Sequence, residues 1–72
     1  MTIKPGDTYY FVGRLHHIRA VLEDDGEQIV VVRWWSRKRQ LWIYGAEYVD
    51  LIDFAVFDAR KRRNTQRKER KP

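Results

Sequence analysis

Arg33, Trp35, Trp42 and Tyr44 are spaced so that they can share one surface. Side chains alternate along a β-strand. Arg33 and Trp35 therefore fall on one face of a strand, and Trp42 and Tyr44 on one face of the next. Rings beside guanidinium groups can stack unpaired bases and touch phosphates, as single-strand binders do. Arg19, on a preceding strand, joins the same face. A purely internal use is also open: Arg33 could lie over Trp42 as a cation–π pair, or both faces of the sheet could be covered. A second, purely cationic feature is made by Arg37, Lys38 and Arg39, and by Arg60, Lys61, Arg62, Arg63, Arg67, Lys68, Arg70 and Lys71. Neutralised phosphates release counterions, so such a set favours DNA or RNA without reading its sequence. A solubilising tail, or one gripping an acidic protein, is the alternative.

The remaining polar residues offer little chemistry. His16 and His17 are the only histidines. As strand neighbours they point to opposite faces and cannot share a metal. Glu23, Asp24, Asp25 and Glu27 resemble a calcium loop in charge alone, without the spaced oxygen ligands or the closing glutamate. Ser36 has no evident base beside it. Phosphate-loop and dinucleotide fingerprints are absent. The expectation is a non-enzymatic protein with no catalytic residue, metal or cofactor.

The elements that would position these residues centre on Gln28 to Gly45, QIVVVRWWSRKRQLWIYG. Ile29–Trp35 and Leu41–Tyr44 are β-branched and aromatic, the character of strands. With Ser36–Arg39 as the loop, Trp35 pairs with Gln40, Trp34 with Leu41, Arg33 with Trp42 and Val32 with Ile43. Val30, Val32, Trp34, Leu41 and Ile43 then form the core face. Val31, Arg33, Trp35, Gln40, Trp42 and Tyr44 form a wetter one. A slip of one residue would exchange the two.

Lys4-Pro5-Gly6-Asp7 signals a turn. Thr8–Val12 reads as a first strand, Gly13-Arg14 as a break, and Leu15–Leu22 as a second strand. A two-residue Asp25-Gly26 turn would pair Leu22 with Ile29, sending Ile18, Ala20 and Leu22 to the wetter face. A longer loop pairs Leu22 with Val30, Ala20 with Val32 and Ile18 with Trp34, matching apolar to apolar, and is preferred. It places His17 and Arg19 near Arg33, with Arg19 opposite Arg33. Ala46–Tyr48 reads as a turn and Val49–Ile52 as a last strand. Asp53 could cap a helix to about Arg63, with Phe54 and Phe57 on one side. NTQRKERKP, from Asn64, has no apolar residue and is expected to be disordered alone.

The chain of 72 residues is one small domain without cysteine. Of its net charge of +5, residues 1–57 hold seven Lys or Arg against eight Asp or Glu, and residues 58–72 hold eight against two. The basicity is in the tail, a pointer to an anionic partner. No apolar run approaches a membrane span, and MTIKPGDTYY lacks a signal-peptide core. The expectation is a soluble cytoplasmic protein with no membrane contact.

Five short strands with turns between them suggest a mainly all-β fold, a small five-stranded SH3-like barrel at residues 1–57. A basic tail, a helix end and then disorder, would fill residues 58–72. The KPGD start, the acidic-glycine turn and the WWSRKRQLWIY hairpin, over roughly residues 4–52, resemble short proteins of tailed bacteriophages and prophages. That resemblance implies a host-cell cytosol and, since such proteins mostly have no assigned activity, no site residues. Two functions remain. One is a nucleic-acid-binding module using the aromatic-basic face, the hairpin tip and the tail. The other is a phage-type protein-interaction module, a host-protein modulator or assembly factor anchored by Trp35, Trp42 and Tyr44. An exposed tryptophan face is also compatible with a homodimer.

A chain ending at Arg63 is expected to keep its melting temperature within a few degrees, since the removed residues have no apolar side chain to bury. Thermal unfolding by circular dichroism checks this. A large loss of stability would show that residues 64–72 dock onto the domain.

Overall fold

The computed structural model describes residues 2–69, with side chains through residue 63. Its elements are β1 (Thr8–Phe11), β2 (Arg14–Asp24), β3 (Glu27–Ser36), β4 (Leu41–Tyr48) and α1 (Val49–Glu69). The four strands form an open antiparallel meander in the order β1-β2-β3-β4, and α1 packs on one face. The fold is mainly β, as expected. The sheet does not close into a five-stranded barrel among the described residues, because Val49–Ile52 forms the first turn of α1. Ala46–Tyr48 is not a turn either. It extends β4, pairing with Val31, Val30 and Ile29.

Two tight turns build the first three strands. Val12 and Gly13 have φ of 51° and 72°, and Asp25 and Gly26 have 51° and 81°. Two positive φ values in a two-residue loop define the type I′ hairpin turn. The first break is thus Val12-Gly13 rather than Gly13-Arg14. Left-handed backbone suits glycine and aspartate, but a β-branched residue there is strained by roughly 1–3 kcal/mol.

The Asp25-Gly26 turn pairs Leu22 with Ile29, the register set aside on grounds of apolar matching. The mismatch is repaired elsewhere. A bulge between Ile18 and Ala20 leaves Arg19 as an extra residue, so that Ile18 pairs with Val32 and His17 with Arg33. A bulge shifts alternation by one. Beyond it Leu22 lies on the open face, 55 % exposed, while on the near side Ile18 is core. Arg19 consequently does not stand opposite Arg33.

In the last hairpin the loop is Arg37–Gln40, since Ser36 pairs with Leu41. Gln40 takes a φ of 56° and donates its amide to the Ser36 carbonyl at 2.8 Å. Trp34 therefore faces Ile43, and Trp35 faces Trp42. Each pair moves by two positions along β4, so the faces remain as expected although the register does not. Leu41, expected in the core, is 46 % exposed beside the turn.

The core joins Ile3, Tyr9, Ile18, Val30 and Val32 to Ile52 and Val56 of α1. Ile52 and Val56 are one helical turn apart and share a face. Phe57 packs on this core, but Phe54 is 71 % exposed, so the two phenylalanines part company. Asp53 is not a cap but lies inside α1, where its carboxylate accepts the Phe54 amide at 2.7 Å. The helix also runs past Arg63 to Glu69. Gln, Arg, Lys and Glu are good helix formers, and extending a packed helix adds a hydrogen bond for each residue fixed. The rest of the expected disordered tail, residues 70–72, lies outside the described residues.

Asp7 anchors α1. Its carboxylate is buried and accepts the Lys4 amide at 2.9 Å and Arg60 Nε at 3.1 Å, and Arg60 Nη2 completes the ion pair. Burial alone would raise its pKa, but the Arg60 hydrogen bonds and charge and the Lys4 amide outweigh it and hold the pKa below the ordinary aspartate value. An aspartate with a depressed folded pKa stabilises the fold above its unfolded pKa, and that contribution is lost as pH falls through the folded pKa. Stability is therefore expected to fall on acidification below about pH 4, and Arg60→Ala should flatten this acid limb. At neutral pH, Arg60→Ala should cost about 1–3 kcal/mol, because it leaves a carboxylate held close against the surface without its guanidinium partner. Arg62→Ala, which breaks only the exposed Arg62–Asp58 pair, should cost about 0.5 kcal/mol or less. Urea unfolding of both variants measures the contrast.

Candidate nucleic-acid interface

The face of the sheet opposite α1 carries one cross-strand row: Thr8, His17, Arg33 and Tyr44, contributed in turn by β1, β2, β3 and β4. Beside it stands the pair Trp35–Trp42. Alternation puts Trp34 on the helix side and Trp35 on this one. Arg33 is laid flat in this setting. Its guanidinium carbon is 4.2 Å from the Trp42 ring centroid, and Nη1 donates to the Tyr44 hydroxyl at 3.3 Å. Its Nε is buried without a hydrogen-bond partner. Trp42 also meets Trp35 edge-on at 5.3 Å and His17 at 5.7 Å. The internal cation–π pair and the exposed aromatic face thus coexist. Trp35 is 42 % and Tyr44 58 % exposed.

The arrangement assigns different work to the rings. One face of Trp42 is taken by Arg33, so Trp42 holds the guanidinium in place. Trp35 and Tyr44 present the surface a planar ligand could stack on. Arg37, Lys38 and Arg39 are exposed in the turn that follows, with Arg39 donating its amide to Ser36 Oγ at 3.3 Å. They extend the positive charge from the tryptophan pair to the end of the sheet.

The remaining cations separate. Arg19 is exposed at the bulge, away from Arg33. Arg60 is engaged by Asp7 and by the Thr2 carbonyl at 2.8 Å. Arg62 pairs with Asp58, and Lys61 is exposed on α1. Arg63 reaches the Thr8 hydroxyl at 3.2 Å, which brings a cation from the helix to the β1 end of the row. The side chains of Arg67 and Lys68, and the whole of Arg70 and Lys71, lie outside the described residues.

His16 faces the other side. It is buried, stacks on Tyr9 at 5.0 Å and meets Trp34 at 4.8 Å, and its Nδ1 lies 3.0 Å from the Arg14 carbonyl. Trp34 is half-buried, with its ring over Gly45, where a Cβ would come within 3.4 Å. Among the described residues no group of three or more His, Cys, Asp or Glu is placed to hold a metal, and no helix is long and apolar enough to cross a membrane. Sequence reasoning did not include His17 among the site residues, although its placement beside Arg33 was legible. It also missed an apolar groove on the helix side. No protein-family model matches this chain, and no curated protein or solved structure is found to be similar to it.

Trp34→Ala should cost about 3–5 kcal/mol, the range for losing a large packed aromatic. Trp42→Ala should cost less, about 2–3 kcal/mol, since the ring is 38 % exposed and loses partial burial along with the cation–π and ring contacts. Chemical unfolding of both variants gives the order. A larger loss for Trp42 would mean that the open face is in fact packed.

Proposed function

We propose that this protein is a small non-enzymatic nucleic-acid-binding module. The observation that carries the reading is the bare sheet face on which Arg33, held against Trp42, lies between the exposed rings of Trp35 and Tyr44. Trp35 and Tyr44 stack unpaired bases, while Arg33, Arg37, Lys38 and Arg39 contact phosphates. Arg63 and the cations beyond it add sequence-independent attraction. Single strands are preferred over duplex, because only unstacked bases can lie on a ring. Arg60 is left out of the contact set, since its guanidinium binds Asp7. The alternative is a phage-type protein-interaction module, a host-protein modulator or assembly factor. It draws on the same face, because Trp, Tyr and Arg dominate interface energetics.

Fluorescence anisotropy with random-sequence single strands and duplexes tests the proposal. Affinity should fall steeply between about 50 and 200 mM salt. Replacing Arg37, Lys38 and Arg39 by alanine should weaken binding and flatten that slope. Tyr44→Ala should cost about 1–3 kcal/mol on single strands and clearly less on duplex. Absence of binding to either form at about 50 mM salt, where electrostatic attraction is near its strongest, would sink the reading and pass the face to a protein partner.

A further inference from the structure

The helix side of the sheet is only partly covered. Between the first half of α1 and the strands lies a groove of about 630 Å³, lined by Tyr9, Phe11, His16, Trp34 and Phe54 among others. Small-molecule sites have this size, and they combine apolar walls with a few fixed polar groups. His16 is such a group. It is 6 % exposed. Tyr9 stacks on its imidazole, Trp34 lies against it, and Phe11 meets it edge-on at 6.0 Å. Three rings hold the imidazole in one orientation.

The two ring nitrogens are placed differently. Nδ1 lies 3.0 Å from the Arg14 carbonyl, which can only accept, so Nδ1 carries the hydrogen. In the neutral ring Nε2 then holds the lone pair. Nε2 has no partner among the described residues. Yet it is not sealed away, as Arg33 Nε and Trp34 Nε1 are. It therefore opens into the space that His16 lines, which is this groove. A buried side chain thus presents one unused acceptor, fixed in direction, to an aromatic hollow.

We propose that the groove binds a planar heteroaromatic small molecule whose ring N–H donates to His16 Nε2. The aromatic side chains supply stacking and edge contacts to a flat ring. The acceptor supplies the selection. A ring of the same shape without the N–H would take the place of water at Nε2 and leave it unpaired, which is costly. Arg14 and Glu47 both line the groove, so its charged side chains cancel and the ligand is neutral overall. The sheet face bearing Arg33 and Trp42 takes no part, so this site stands or falls independently of nucleic-acid binding.

Calorimetric titration of the full chain with indole, and with benzofuran as the same bicycle lacking the N–H, tests this. Indole should bind with a Kd of about 1 mM or tighter, and benzofuran about tenfold more weakly, the worth of one hydrogen bond to a fixed acceptor. Phe54→Ala, at a side chain 71 % exposed, should weaken both several-fold with an unchanged circular dichroism spectrum. His16→Phe keeps the ring stack and removes the acceptor, so it should bring the two ligands to equal affinity. In the wild-type chain the nitrogen resonance of His16 Nε2 should move with indole and stay with benzofuran. A chain that takes neither ligand, or both equally, would overturn the proposal. A preference for indole that survives His16→Phe, or binding indifferent to Phe54→Ala, would overturn it too, since the ligand would then lie elsewhere. Should His16→Phe fail to fold, the Nε2 resonance and Phe54→Ala decide the matter.

Discussion

At Asp7 three separate pieces of chain meet. Its carboxylate takes the Lys4 amide, closing the entry turn, and holds Arg60 of α1. Its backbone carbonyl accepts the Ile18 amide, while the Gly6 amide donates to the Ile18 carbonyl, both at 2.9 Å. A buried carboxylate is costly unless charge and hydrogen bonds compensate it. Here they do, and the group stays ionised. The contact matters because α1 is predominantly polar and fully buries only Ile52 and Val56 among its apolar side chains. So small an apolar face fixes the position of a long helix weakly. The ion pair specifies where it lies, and thereby that Val30 and Val32 are covered.

Seating the helix on one side divides the molecule. Trp34 and Trp35 are neighbours in sequence and belong to different surfaces: one packs with His16 against the core, the other joins Trp42 in the open. The open side is organised rather than merely unburied. Arg33 has a fixed ring beneath it and a hydroxyl beside it. A guanidinium already held loses less freedom on meeting an anion than one on a loose side chain. The helix side has apolar surface with no such cationic frame, and the two surfaces suit different partners.

The hairpin and its faces were legible because β-branched and aromatic residues alternate over two adjacent strands. The loop was misplaced, but pairing moved by two positions, and an even displacement leaves faces untouched. That is why Arg33, Trp35, Trp42 and Tyr44 were grouped correctly from spacing. The β2–β3 register was not legible, since an extra residue at Arg19 leaves no mark in a pattern that is apolar on both sides of it. Val49–Ile52 is a short apolar run, which periodicity cannot assign to strand or helix. The engagement of Arg60 depends on a carboxylate 53 residues away, and spacing along the chain cannot reveal it. The groove was missed because its walls come from β1, β4 and α1 together.

The bulge at Arg19 also governs how this fold can change in length. The β2–β3 arm beyond it ends in the Asp25-Gly26 turn, with both flanking strands exposed at the tip. Residues added there in matched pairs, one on each strand, would lengthen the arm and leave every side chain of the core row on its own side. Loss of Arg19 alone would do the reverse. Alternation would run unbroken through β2, turning Ile18 and His16 outward and bringing His17 inward. Natural variants of this chain should therefore differ freely in the reach of the arm while keeping an unpaired residue where β2 crosses the body of the sheet. The arm is also the natural place to graft a foreign hairpin.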